Sequence, residues 1–121
     1  MEVVCLFGSS KVITLVDSGA TNNFISLHSA KKYNLDIIDD KSISVKLADG
    51  NIINTNSYTT TDVTLGEVSV HLRFEILDAD VAIILGMPFL EACNPIINWK
   101  LKTMSIKHKN RVISIPTLSN S

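Results

Sequence analysis

Residues 68–76 read VSVHLRFEI, the stretch that most narrowly limits what this chain can become. Val68, Val70, Leu72, Phe74 and Ile76 alternate with Ser69, His71, Arg73 and Glu75. A period of two sends the apolar set to one face and the polar set to the other, which predicts a strand with one buried face. Such a strand needs neighbours to satisfy its backbone N–H and C=O groups.

Candidate partners lie on both sides. Residues 3–7 (VVCLF) and 11–16 (KVITLV) flank Gly8-Ser9-Ser10, a hairpin signal. Residues 42–48 alternate, with Ile43, Val45 and Leu47 on one face, and run into Asp49-Gly50, a strong hairpin turn pair. Residues 51–56 and 58–65 follow as Thr-rich strands, and Leu65-Gly66-Glu67 turns into the alternating segment. The unbroken apolar run 81–85 (VAIIL) predicts a strand buried on both sides, and three short strands are expected at 96–99, 103–107 and 112–115. Ser26 can cap a helix through Tyr33, ended by Asn34. A second helix is expected over 87–93, with Pro88 in its first turn and Asn94-Pro95 as its stop. The expected class is all-β, a small closed and mainly antiparallel barrel or sandwich with one or two short helices.

With 121 residues there is room for one domain, expected over 1–116, with 117–121 as a tail or linker. Apolar residues make up 45% of the chain, too many for disorder. The net charge of −1 and the scattered Lys and Arg exclude a basic nucleic-acid platform. Cys5 and Cys93 are far apart in sequence, so neither a zinc site nor a disulfide framework is indicated, and no metal or cofactor is expected. No signal peptide and no membrane-spanning apolar run is visible, so the expected location is cytoplasmic.

Residues 13–17 (ITLVD) deliver a carboxylate to the end of an apolar run, and Ser18, Gly19, Ala20 and Thr21 follow at once. Asp-Ser-Gly is a common turn composition, and a catalytic carboxylate at a strand end has the same composition. The small residues allow a tight loop that another backbone can approach closely. Downstream, Ile84, Leu85 and Gly86 end a buried run at a glycine, which suits packing behind the acid-bearing loop.

VDSGAT (16–21), LADG (47–50), IILGMPFL (83–90) and INW (97–99), in this order, closely resemble the retropepsin-like aspartic proteases. The nearest likeness is to the proteases of gypsy-type LTR retrotransposons, and it spans about residues 11–107. The resemblance implies a closed β-barrel of the acid-protease type and an endopeptidase that processes a Gag-Pol-type polyprotein, in the cytoplasm or within virus-like particles. It implies that Asp17 is catalytic, that Ser18 bonds across to a partner loop, and that Ser18, Gly19, Ala20 and Thr21 form the active-site loop. It makes Leu47, Ala48, Asp49, Gly50, Asn51 and Ile52 a flap over an extended polypeptide, and Ile84, Leu85 and Gly86 the loop-supporting motif. Ile52, Ile53 and Ile83 become candidate subsite residues. Thr21 stands where retroviral relatives carry an acid, so their ion pair there is not implied.

This chemistry needs two carboxylates around one water, one as general base and one as general acid. The chain holds a single Asp-Ser-Gly, and a two-lobed enzyme would need about twice the length. The second carboxylate is therefore expected from Asp17 of another copy across a two-fold axis. A non-catalytic module that keeps the fold for dimerisation or peptide binding is the rival reading, and the intact Asp-Ser-Gly argues against it. A Ser-His-Asp hydrolase using Ser18 or Ser26 with His28, His71 or His108 is disfavoured, since no Gly-x-Ser-x-Gly elbow is present. Trp99 is expected in the core or at an interface, and Asn22 and Asn23 are expected to anchor the loop by local hydrogen bonds.

Overall fold

The structure, a computed structural model, describes residues 1–47 and 49–118. The expectations for Ala48 at the flap and for a tail over 119–121 lie outside the described residues.

In chain order the elements are β1 (Glu2–Phe7), β2 (Ser10–Val16), β3 (Phe24–Ser26), α1 (Leu27–Lys32), β4 (Ile38–Lys46), β5 (Ile52–Leu65) and β6 (Val68–Leu77). They continue with β7 (Ile84–Leu85), α2 (Met87–Cys93), β8 (Ile96–Asn98), β9 (Thr103–His108) and β10 (Arg111–Leu118). Six strands close on themselves in the order β1-β5-β6-β3-β7-β2 and back to β1. This is the expected closed barrel, mainly antiparallel, with two parallel pairings, β3 on β6 and β2 on β7. Closure is made where Leu6 and Phe7 meet Thr64 and Val63. Outside the ring, β4 pairs with the first half of β5 to form a hairpin arm. On the other side β10, β9 and β8 extend from β1, leaving β8 as the outer strand.

The alternating segment forms β6 and buries Val68, Leu72, Phe74 and Ile76 as expected. Glu75 departs from the pattern, because it is buried although it lies on the polar face. Parallel β3 pairs with β6 at this end, with Phe24 opposite Glu75, and Arg73 Nε donates to Glu75 Oε1 at 2.8 Å. The carboxylate is thus largely removed from water, and the guanidinium compensates its charge.

Ser26 caps α1 by accepting from the Ser29 N–H at 3.0 Å, and Asn34 leaves the helix with φ of 55°. Pro88 occupies the first turn of α2, and Asn94 ends it in the left-handed region at φ of 42°. The predicted strand over 81–85 shortens to Ile84–Leu85, since only two residues find ladder partners on β2, Leu15 and Val16. The Thr-rich strands expected at 51–56 and 58–65 are one continuous strand, β5. Its neighbour β4 starts at Ile38, earlier than expected, and shifts register between Asp39 and Ile43. Strand β10 also runs further than expected: Thr117 and Leu118 pair with Val3 and Glu2, so these two residues belong to the sheet.

Two apolar clusters result. The larger fills the barrel and the space under β9, β10 and α2, around Val3, Phe74, Leu85, Phe89 and Met104. The smaller joins Ala20, Phe24, Val45 and Leu77, with Leu47, Ile53, Val81 and Ile84 at its edge. It packs the tip end of the hairpin arm, through Val45, Leu47 and Ile53, against Ala20 of the loop that carries Asp17.

Candidate active site

Strand β2 ends one residue before Asp17, and its last two residues pair with β7. The Asp17 N–H continues that ladder by donating to the Leu85 carbonyl at 3.0 Å. The chain then turns tightly. Gly19 N–H donates to Asp17 Oδ1 at 2.8 Å, and Ala20 N–H donates to the Asp17 carbonyl at 3.2 Å. The first of these bonds fixes the orientation of the carboxyl group. Ala20 is buried, and its carbonyl accepts from the Met87 N–H at 2.9 Å. Ser18 and Gly19 are exposed.

Ile84, Leu85 and Gly86 run behind the Asp17 loop. A Cβ on Gly86 would lie 2.7 Å from the Ala20 carbonyl oxygen and 2.2 Å from that of Asn22. Only a residue without a side chain lets the two backbones come this close. Leu85 sits in the main core, while Ile84 reaches the smaller cluster beside the loop. Thr21 Oγ1 lies 2.9 Å from Asn22 Oδ1 and 3.4 Å from the Lys46 carbonyl, so the loop also reaches the hairpin arm.

At the arm's tip, the Gly50 N–H donates to the Leu47 carbonyl at 3.0 Å and Leu47 N–H donates to the Asn51 carbonyl at 2.9 Å. Asp49 braces the turn, accepting from the Asn51 N–H and from Asn51 Nδ2, each at 2.9 Å. Gly50 has φ of 90°, a conformation that favours glycine. Ile52 stands out in solvent and Ile53 joins the smaller cluster. Ile83, a candidate subsite residue, is corrected: it is 4% exposed within the main core, and its neighbour Ile84 faces the loop. An unbroken apolar run carries no periodicity, so it could not reveal which residue points where.

A cavity of about 330 Å³ opens beside Asp17, lined by Met1, Val16, Ser18, Leu90, Ile97 and Trp99. Next to it a second one, about 290 Å³, shares Met1, Ile97 and Trp99 and adds Thr117 and Leu118. A larger cavity of about 380 Å³, between the start of α1 and residues 78–81, does not contain Asp17. Its Ser26 is already engaged in capping α1. His71 Nδ1 pairs with Asp62 Oδ1 at 2.7 Å on the exposed face of β5 and β6. Among the described residues, no group of three or more His, Cys, Asp and Glu side chains converges on a point. Both cysteines are free, and burial pushes the Cys5 thiol up to about 11, partly offset by the Thr14 hydroxyl. No helix among the described residues is long and apolar enough to cross a membrane.

Asn23 plays a larger part than its sequence context indicated. It is 1% exposed, and its side chain bonds to Gly86 and Arg73, 63 and 50 residues away, rather than within the loop. No local signal could have announced contacts at those separations.

A closed six-strand barrel, a hydrogen-bonded Asp-Ser-Gly loop at its edge, a glycine turn packed behind it and a hairpin arm in contact with it define a retropepsin-like aspartic-protease domain. The chain belongs to the family described as the PEG10/RTL1 protease domain, whose profile matches residues 13–112. The retroviral protease-like domain of Ddi1 from Leishmania major superposes with a TM-score of 0.70 at 21% identity, over 98% of this chain and 91% of that one. EIAV protease in complex with the inhibitor HBY-793 superposes with a TM-score of 0.61 at 16% identity, over 76% of this chain and 86% of that one. A sequence search of curated proteins finds no match.

Proposed function

We propose that the chain is an aspartic endopeptidase, active as a homodimer, that cleaves extended polypeptide of the Gag-Pol type. The observation that carries this reading is the Asp17 loop: a carboxylate fixed by its own turn, braced by Leu85 and Met87, beside an apolar cavity. One carboxylate cannot serve as both general acid and general base, so the chemistry calls for a second copy. The face around Asp17 suits that copy, with Met1, Ile97 and Trp99 lining the cavity and Trp99 76% exposed.

In such a dimer the two Asp17 carboxyls share one proton, because like charges so close resist joint ionisation. The ionised carboxylate takes a proton from water as the water oxygen attacks the peptide carbonyl carbon. The protonated partner gives its proton to the carbonyl oxygen, leaving a neutral gem-diol. Collapse of the diol breaks the C–N bond: a diol hydroxyl gives its proton to the carboxylate left ionised by the first step, while the protonated carboxyl gives its own to the leaving nitrogen, so the pair again holds one proton. The hairpin arm covers the peptide and excludes bulk water, and its backbone can bond to an extended strand.

Substituting Asp17→Asn retains the shape and removes the acid-base pair. Cleavage of a Gag-derived peptide should fall by more than about a hundredfold with the fold intact by circular dichroism. Equal cleavage by that variant would end the protease reading. Specific activity of the wild type should also fall on dilution as dimers dissociate.

A further inference from the structure

We propose that Asn23 is a positioning residue for the Asp17 loop, its side-chain amide clamping the loop to the glycine turn and to β6. The proposal rests on the protease reading only for its effect on turnover. The amide is read unambiguously from its partners. Gly86 N–H is a donor and lies 2.8 Å from Oδ1, while the Arg73 carbonyl is an acceptor and lies 3.0 Å from Nδ2. The Asn23 main-chain carbonyl accepts from the Glu75 N–H at 2.8 Å, so one residue ties three segments.

Each tie bears on Asp17. Leu85, just before Gly86, accepts from the Asp17 N–H, and Met87, just after it, donates to Ala20. Gly86 itself is buried, and the carbonyls of Ala20 and Asn22 press on it, so a shift of its N–H moves the floor of the loop. On the far side, β6 is a firm anchor. The Arg73 side chain is held by Glu75 and Asp40, and its guanidinium stacks 3.8 Å above the Tyr58 ring.

The clamp needs an acceptor and a donor on one planar group. A protonated carboxyl has both and an ionised carboxylate has two acceptors, one of which would oppose the Arg73 carbonyl. Asn23→Asp should therefore work at low pH and fail as the introduced group ionises, whereas Asn23→Leu should fail at every pH.

The test is carried out on the full chain, wild type and both variants, between pH 4 and about 8, a range wide enough to span a buried carboxyl with a raised pKa. Hydrogen exchange at the Gly86 amide is read by NMR, together with kcat and KM on a fluorogenic Gag-derived peptide. In Asn23→Asp, Gly86 protection and kcat should match wild type at the acid end. Both should then fall together, by about tenfold per pH unit above the introduced pKa, with KM unchanged. Gly86 protection and kcat that keep the wild-type pH profile in Asn23→Asp would overturn the proposal. So would a fall in protection without a fall in kcat. If Asn23→Leu does not fold, Asn23→Asp at low pH still decides. A wild type that cleaves nothing defeats the protease reading, and the Gly86 exchange profile then judges the clamp by itself.

Discussion

Gly86 and Asn22 touch backbone to backbone: a Cβ built on Gly86 would stand 2.2 Å from the Asn22 carbonyl oxygen. Gly86 has φ of −97°, which any residue adopts, so close approach and not conformation requires glycine here. The contact lets the turn between β7 and α2 lie flat against the loop that begins at Asp17.

Gly86→Ala should therefore destabilise the protein by about 3 kcal/mol or more, at or beyond the upper end of ordinary overpacking, because the opposing atoms are main chain and cannot rotate away. Urea unfolding followed by tryptophan fluorescence measures it. A loss under about 1 kcal/mol would show that the loop can retreat, and the rigid floor under Asp17 would have to be given up.

Trp99 lines both cavities on the Asp17 face, and Ile96 and Leu101 near it are also largely exposed. Aromatic residues that fill a partner's pocket dominate the energetics of interfaces. In an Asp17→Asn background, which would prevent self-digestion by the proposed protease, Trp99→Ala should weaken the proposed dimer by about thirtyfold, or about 2 kcal/mol. Sedimentation velocity across a concentration series reads this directly. An unchanged dissociation constant would place the interface elsewhere.

What was legible in the sequence followed the range of the interactions involved. The Ser26 cap, Pro88 in the first turn of α2 and Asn94 at its end are decided within four residues, and each stands where local chemistry puts it. The alternation over 68–76 found β6 because side chains on a half-buried strand repeat every second residue. The Asp17 turn was visible for the same reason: the bonds from Gly19 and Ala20 to Asp17 are local. Strand β3 escaped because three residues are too few to show a period, and its identity comes from β6 and β7 on either side. Glu75 looked solvent-facing but is buried against Arg73, and the direction of Ile83 was hidden in an unbroken apolar run. Tertiary packing decided each of these cases, beyond the reach of a local window.

Gly50 offers a contrast to Gly86. Its φ of 90° falls in the left-handed half of backbone space, and nothing stands within 4 Å of a Cβ built there. Gly50→Val should thus act through conformation alone, at a cost of about 1–2 kcal/mol confined to the arm's tip. Exchange protection of the Leu47 amide, which bonds to the Asn51 carbonyl, should fall about tenfold, while the amides of Val63 and Phe74 in the barrel stay as they were. Loss of protection throughout the barrel would mean that arm and barrel open as one unit.

Cys5 provides a titration inside the barrel wall. Its thiol is fully buried, 3.2 Å from the Thr14 hydroxyl, and burial raises its pKa from the ordinary 9.0 to about 11. Burial favours the neutral thiol, so the unfolded chain loses its proton first as pH rises. The stabilisation is fully present below pH 9 and declines between 9 and about 11 as the unfolded thiol ionises. That difference corresponds to about 2–3 kcal/mol. Cys5→Val fills similar space without an ionisable group. The difference in stability between wild type and this variant, from urea unfolding at pH 8 and at pH 11, should move against the wild type by about 2–3 kcal/mol. A difference that does not change with pH would show that the thiolate finds a stabilising partner or water within the fold.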